Sequence, residues 1–241
     1  MCAHVDRSQR EIVSLRVAFD LDGTVADMYG ALRVEAERLF GAGTRGAVPA
    51  GALPDAVLPG PDLAGEGLTA RQQAQIWDRV RQIDNFWTTL PELEPGIIAR
   101  IAETADERRW EVLFITTRPP SAGETTQRQT QRWLEAHGFA LPSVFVLQRS
   151  RGKLADALHL DAVVDDRPEN CLDVAVDSKA KPLLIWPEPG EAVPAGLRRM
   201  GVRPVPTISE ALRFLERLDD SRSQSSVVRS IRRLLRRDGA E

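Results

Sequence analysis

Val17-Ala18-Phe19-Asp20-Leu21-Asp22-Gly23-Thr24-Val25-Ala26-Asp27 is the stretch on which the reading of this chain turns. Its apolar lead-in, with Ile12, Val13 and Leu15 ahead of it, predicts a buried strand that stops in two carboxylates and a glycine. Side chains at i and i+2 of a strand share a face, so Asp20 and Asp22 are expected to point the same way. Two carboxylates side by side repel, and such a pair implies a cation, a shared proton or both. Gly23 permits a tight turn and the close approach of a backbone or a phosphate. A polar turn at a strand end is the ordinary alternative, because Asp-Gly is common in turns.

The downstream chain supplies more strand ends with chemistry on them. Val112-Leu113-Phe114-Ile115 predicts a strand that ends in Thr116-Thr117-Arg118-Pro119. A hydroxyl there can donate to a phosphate oxygen, with adjacent backbone N–H groups joining it. Arg118 fits either a charge-assisted contact or the surface. Val144-Phe145-Val146-Leu147 predicts another strand, followed by Gln148-Arg149-Ser150-Arg151-Gly152-Lys153, where Ser150 is placed to cap a helix. Ala162-Val163-Val164 then runs into a second acidic end, Asp165-Asp166-Arg167-Pro168-Glu169-Asn170. A hard cation such as Mg²⁺ takes oxygen ligands and commonly only one or two carboxylates. Pro182-Leu183-Leu184-Ile185-Trp186 adds one more strand, and residues 209–218 a helix. Strands alternating with helices predict an α/β fold: a three-layer, Rossmann-like domain with a largely parallel sheet. In such sheets ligands gather at the carboxyl ends of the strands, where Asp20, Thr116 and Asp166 all fall.

Taken together, these pieces resemble the signature of the haloacid dehalogenase-like (HAD) superfamily of phosphohydrolases. The resemblance implies Asp20 as nucleophile and Asp22 as acid/base. It implies Thr116, with Thr117 beside it, and Lys153 as the phosphate-binding groups. Mg²⁺ would be the cofactor, held by Asp20, the backbone carbonyl of Asp22 and Asp166, with Asp165 as a nearby or alternative ligand. Asn170 fits a supporting polar position. The substrate would be a small phosphomonoester. A dehalogenase of the same fold would also use an aspartate nucleophile, but Asp22 is associated with phosphoryl chemistry.

Between the first strand and the helix opened by Pro95-Gly96, residues 28–93 read as a small helical cap inserted into a core of residues 1–27 and 94–220. Leu32, Ala36, Leu39 and Phe40 share one helical face, and Thr69 is a plausible N-cap for a helix carrying Ile76, Val80 and Ile83. The Gly-, Pro- and Ala-rich residues 41–67 have no period, and so long a loop is usually mobile or functional. Phe86 and Trp87, being adjacent, cannot both face one helix stripe, so at least one is available to line a cavity. Aromatic faces stack on nucleobases, while cap-to-core packing is the equal alternative. Phe86-Trp87 followed by Leu90-Pro91 resembles the corresponding segment of the 5′(3′)-deoxyribonucleotidases, in which the pair helps form the nucleoside pocket. That implies a nucleotidase; a phosphatase of sugar phosphates is the alternative.

Ser121-Ala122-Gly123-Glu124 reads as a capping box opening a helix that runs to His137 and stops at Gly138. His137, His159 and Cys171 read as structural. Composition excludes little: 241 residues with a net charge of −3 allow one substantial core and name no partner. Two cysteines, Cys2 and Cys171, make no disulfide framework. The N-terminal residues lack the apolar core of a signal peptide and no stretch can span a bilayer, so a cytoplasmic location is expected. Residues 221–226 read as a linker before a basic amphipathic tail, 221–241, with Val227, Val228, Ile231, Leu234 and Leu235 on one face. Such a tail fits a second subunit, another protein, a nucleic acid or a membrane surface. A non-catalytic binding protein using this tail is the reading from another class.

Overall fold

The computed structural model describes residues 14–41, 68–186 and 193–237, with side chains to residue 223. Six strands form one parallel sheet in the order β3-β2-β1-β4-β5-β6. They are β1 (Arg16–Asp20), β2 (Glu111–Thr116), β3 (Ser143–Val146), β4 (Ala162–Asp165), β5 (Lys181–Ile185) and β6 (Arg203–Val205). The helices are α1 (Met28–Phe40), α2 (Ala70–Gln82), α3 (Ile97–Arg108), α4 (Thr126–Ala136), α5 (Arg151–Ala157), α6 (Pro168–Asp177), α7 (Ala195–Arg199) and α8 (Ile208–Arg237), with a 3₁₀ turn at Phe86–Thr88.

Strand alternation sorts the core into layers. Val17 and Phe19 of β1 join a cluster with Phe114, Ile98, Ile101, Trp133 and Leu212, on the side covered by α3, α4 and α8. Ala18 points the other way and packs with Ile115, Val163, Ala155 and Val174, on the side covered by α5 and α6. The result is the expected three-layer α/β architecture, with a sheet buried on both faces. Asp20 has the parity of Ala18, so it emerges on the α5–α6 side. Phe19 pairs with Val164, which sets Asp20 and Asp165 at the ends of neighbouring strands. After β3 the chain crosses back to the other side of β1, so these ends lie where the strand order reverses.

Local signals fix most helix ends. Asp27 accepts from Gly30 N at the start of α1. Thr69 and Gln72 form a full capping box on α2. Ser150 caps α5 as expected. The capping box expected at Ser121–Glu124 does not form. Gly123 takes a φ of +91°, Glu124 N donates to Asn85 Oδ1, and α4 begins at Thr126 under a Thr125 cap. The linker expected at residues 221–226 is likewise replaced, because α8 runs unbroken through it to Arg237. Extending a helix adds one hydrogen bond per ordered residue without a new nucleation cost. Asp219 anchors its docked half, accepting from Trp110 Nε1 at 3.0 Å and from Arg108 Nη1 at 3.4 Å. The amphipathic side chains beyond residue 223 and all of the loop at 41–67 but Gly41 lie outside the described residues. Among the described residues no helix is long and apolar enough to cross a membrane.

α1 and α2 pack together through the buried Leu32, Ile76 and Val80, and Glu35 of α1 pairs with Arg79 of α2. Their apolar residues belong to the same cluster as the sheet face above, together with Phe86, Trp87 and Leu90.

Candidate active site

Three carboxylates meet beyond the ends of β1 and β4. One oxygen each from Asp20, Asp165 and Asp166 lies within 4.8 Å of the others. Burial raises the Asp20 and Asp166 carboxyls well above the ordinary carboxylate range, and for both the next cause is the charge of Asp165. Asp165 is also raised by burial, against which Arg151 acts in the opposite sense. Its oxygens are satisfied: Asn170 Nδ2 donates to both at 3.0 Å, and Arg167 N donates to Oδ1 at 2.9 Å. Asp166 accepts a long contact from Thr24 Oγ1, at 3.4 Å, and a hydrogen bond from its own amide that acts against the rise caused by burial.

Gly23 makes room for this cluster. Its φ is +83°, and a Cβ placed on it would stand 2.2 Å from Asp166 Oδ2. The same turn separates the two carboxylates of the opening motif. β1 stops at Asp20, and the amides of Val25 and Ala26 both donate to the carbonyl of Leu21. Asp20 and Asp22 still line one pocket, together with Tyr29, Trp77, Thr117, Arg118 and Arg151, while Asp165 rather than Asp22 is the carboxylate that most crowds Asp20.

Asp22 turns toward the end of β2. Its Oδ1 accepts from Arg118 Nε at 2.8 Å and Nη2 at 2.7 Å, and its Oδ2 accepts from Thr116 Oγ1 at 3.1 Å. A hydroxyl has one proton to give, and that of Thr116 goes to Asp22. Thr116 is thus placed to hold the acid/base candidate rather than a phosphate, whereas Thr117 lines the pocket.

The expected lysine is displaced by its neighbour. Lys153 is exposed on α5. Arg151, 3 % exposed, points inward and its Nη2 donates to Asp20 Oδ1 at 2.6 Å. Its Nε, 3.6 Å from Asp165 Oδ2, and its Nη1 are buried without a hydrogen-bond partner among the described residues. The first turn of α5 holds it there: Asp173 Oδ2 accepts from Ser150 Oγ and Gly152 N, and a Cβ at Gly152 would meet the Asp173 carbonyl at 2.2 Å. A glycine in the first turn of a capped helix signals such close packing, and with it the inward face of Arg151.

Phe86 and Trp87 do not form an open stacking surface. Both are buried in the core, and neither lines the pocket. Trp87 is fixed by Nε1 donating to the Pro119 carbonyl and by its amide donating to Gln129 Oε1. The aromatics that do line the pocket are Tyr29 of α1 and Trp77 of α2, facing Thr117, Pro119 and Arg167. Trp77 lies one position off the stripe of Ile76 and Val80, which is why helical periodicity did not single it out.

No family model and no curated protein matches this chain. Its fold, however, is shared with a solved structure. A protein from Thermotoga maritima, provisionally assigned as a beta-phosphoglucomutase, superposes with a TM-score of 0.50 at 17 % identity, over 84 % of this chain and 99 % of that one. A hydrolase from Pseudomonas syringae aligns at a TM-score of 0.46 and 17 % identity, over 86 % of this chain and 99 % of that one. A haloacid dehalogenase-like family hydrolase from Xanthomonas campestris aligns at 0.46 and 16 %, over 88 % of this chain and 98 % of that one. At 17 % identity the likeness to the Thermotoga maritima protein establishes the α/β fold alone.

The donor set suits a divalent cation of the Mg²⁺ kind. All three groups are hard oxygen donors, and three carboxylates outnumber the two guanidinium groups that act on them, Arg151 and Arg167.

Proposed function

We propose that the chain is a Mg²⁺-dependent phosphomonoester hydrolase of the HAD superfamily, working through a phosphorylated Asp20. The observation that carries this reading is the meeting of Asp20 with two kinds of partner at one strand end. One is an acidic pair suited to a cation; the other is a buried arginine with donors to spare.

Asp20 attacks phosphorus, and the bond to the leaving oxygen breaks. Asp22, entering the step in its acid form, gives that oxygen a proton. It then takes one from the water that attacks the aspartyl-phosphate, which regenerates Asp20 and releases inorganic phosphate. Arg151 fills the role expected of Lys153: its unpartnered Nε–H and Nη1–H serve the phosphate oxygens while Nη2 orients Asp20. Thr117 supplies the hydroxyl beside the phosphate, since that of Thr116 is engaged by Asp22. Mg²⁺, held by Asp20, Asp166 and the backbone carbonyl of Asp22 with Asp165 behind them, would offset the repulsion between nucleophile and phosphate. α1 and α2 act as the cap over this site.

Beyond the phosphate, Trp77 and Tyr29 favour a substrate with a flat or apolar group, and nucleoside monophosphates head the panel on that account. Sugar phosphates are the second reading, favoured by the polar side of the pocket at Asn170 and Arg167. The test is phosphate release from deoxy- and ribonucleoside monophosphates and sugar phosphates, with Mg²⁺ and with EDTA. Turnover that vanishes in EDTA and in Asp20→Asn supports the reading. Turnover insensitive to either removes it.

A further inference from the structure

Arg118 is the most completely enclosed cation among the described residues of the site, with a side chain 0 % exposed. Four features fix its guanidinium. Nε and Nη2 grip Asp22 (Oδ1 at 2.8 and 2.7 Å), and Nη1 donates to Thr130 Oγ1 at 3.1 Å. Its Cζ stands 4.9 Å from the centroid of Trp87 and 5.9 Å from that of Trp133. Its own amide donates to Thr116 Oγ1, the hydroxyl that donates in turn to Asp22 Oδ2. Each part is held by another: Trp87 by Pro119, Trp133 by its Nε1 donating to the Leu90 carbonyl at 2.7 Å.

We infer that Arg118 is the positioning residue of Asp22: a stacked, pinned guanidinium that sets where the acid/base carboxylate stands. The inference rests on the hydrolase reading above and deepens it. Once the chain leaves β1 at Asp20, the turn through Gly23 leaves the Asp22 side chain without a sheet to orient it. A planar fork gripping the carboxylate by two N–H groups defines its direction as well as its distance, which a lysine cannot do. The aromatic faces make the fork itself immobile and exclude water from its far side. Trp87 thus acts at second hand, beneath the arginine that holds the acid/base, instead of against a substrate.

Proton delivery matters most when the departing oxygen is strongly basic, so leaving-group dependence reads the placement of Asp22. The experiment compares the best aliphatic phosphomonoester of the panel with p-nitrophenyl phosphate, whose phenolate departs with little help. Arg118→Met is expected to lower kcat/KM, which reads the step that expels the leaving group, by about 100-fold or more on the aliphatic ester and by less than about 10-fold on the aryl ester. Arg118→Lys should recover part of the aliphatic rate. Because Arg118 acts through Asp22, the double variant Asp22→Asn/Arg118→Met should match Asp22→Asn within about twofold.

Equal loss of kcat/KM on both esters, or a double variant slower by the product of the two single effects, overturns the inference while leaving the hydrolase reading intact. A wild-type protein that turns over neither ester removes the hydrolase reading itself. Should Arg118→Met fail to fold with Asp22 left unpaired, the double variant removes both charges together and its comparison with Asp22→Asn decides the matter.

Discussion

Replacing Arg151 with methionine tests the electrostatics of the site most directly. The side chain is buried, and its Nη2 lies 2.6 Å from Asp20 Oδ1 with Nε 3.6 Å from Asp165 Oδ2. Methionine keeps much of the apolar stem and deletes the charge, leaving Asp20, Asp165 and Asp166 facing each other. Breaking a buried pair from one side costs about 3–5 kcal/mol. For a chain of this size each kcal/mol shifts Tm by roughly 2–4 °C, so the metal-free variant should melt about 6–20 °C lower at pH 7.

The sign with pH follows from the raised carboxyls. Asp20 and Asp166 have folded values well above the ordinary 3.8, so the folded state holds protons that the unfolded state has released. Their contribution to stability is present in full below that value and is lost as pH rises through the raised folded values. The variant, lacking the one group that lowers Asp20 from within the cluster, should lose more over that rise. Mg²⁺ should reverse the loss, and more in the variant than in the wild type, because the cation no longer faces the Arg151 guanidinium. A tenfold gain in affinity corresponds to about 1.4 kcal/mol of extra stabilisation at saturating Mg²⁺. Calorimetry of both proteins, with EDTA and with Mg²⁺, is the assay. A variant that melts within about 2 °C of wild type in EDTA, or one that Mg²⁺ stabilises no more than wild type, would refute the reasoning.

Three other outcomes follow from the geometry. Gly23→Ala places a Cβ 2.2 Å from Asp166 Oδ2 at a φ of +83°, and isothermal titration should show Mg²⁺ affinity reduced by at least about 10-fold. Lys153→Ala alters an exposed residue, and activity within about twofold of wild type, with stability within about 0.5 kcal/mol, should separate it from every Arg151 substitution. Asp219→Ala strips the acceptor from the buried Trp110 Nε1 and loosens α8, so denaturant titration should show a loss of about 1–3 kcal/mol with kcat unchanged.

Where the sequence reading held, the signal was local. The apolar run of β1, the threonine cap of α2 and the serine cap of α5 each rest on neighbours within a few residues, and each formed where expected. The parallel sheet followed from alternation of strands and helices, and its topology places Asp20, Thr116 and Asp165 at adjacent strand ends. Where the reading failed, the deciding contact came from far along the chain. Ser121 looks like a cap because nothing nearby shows that Asn85, 39 residues before Glu124, takes the Glu124 amide. The serine-rich stretch at 221–226 looks like a linker because its helicity is inherited from the anchored turns before it.

The site divides in the same way. Residue types and spacing were enough to name Asp20, Asp22, Asp165 and Asp166 as the acidic set, since strand ends carry their side chains to one edge of a parallel sheet whatever surrounds them. Direction was decided only in three dimensions. The turn at Gly23 brings Asp22 onto Arg118 beside the pocket it shares with Asp20, and the close packing of α5 on α6 turns Arg151 inward and leaves Lys153 in water. Trp87, a candidate base platform from its place beside Phe86 and the nucleotidase resemblance, lies beneath a guanidinium that sequence alone leaves free for either the surface or the site. A pattern of residues specifies which groups reach a strand end; which of them face one another depends on the backbone turn and on helices packed from distant sequence, and that is a property of the assembled fold.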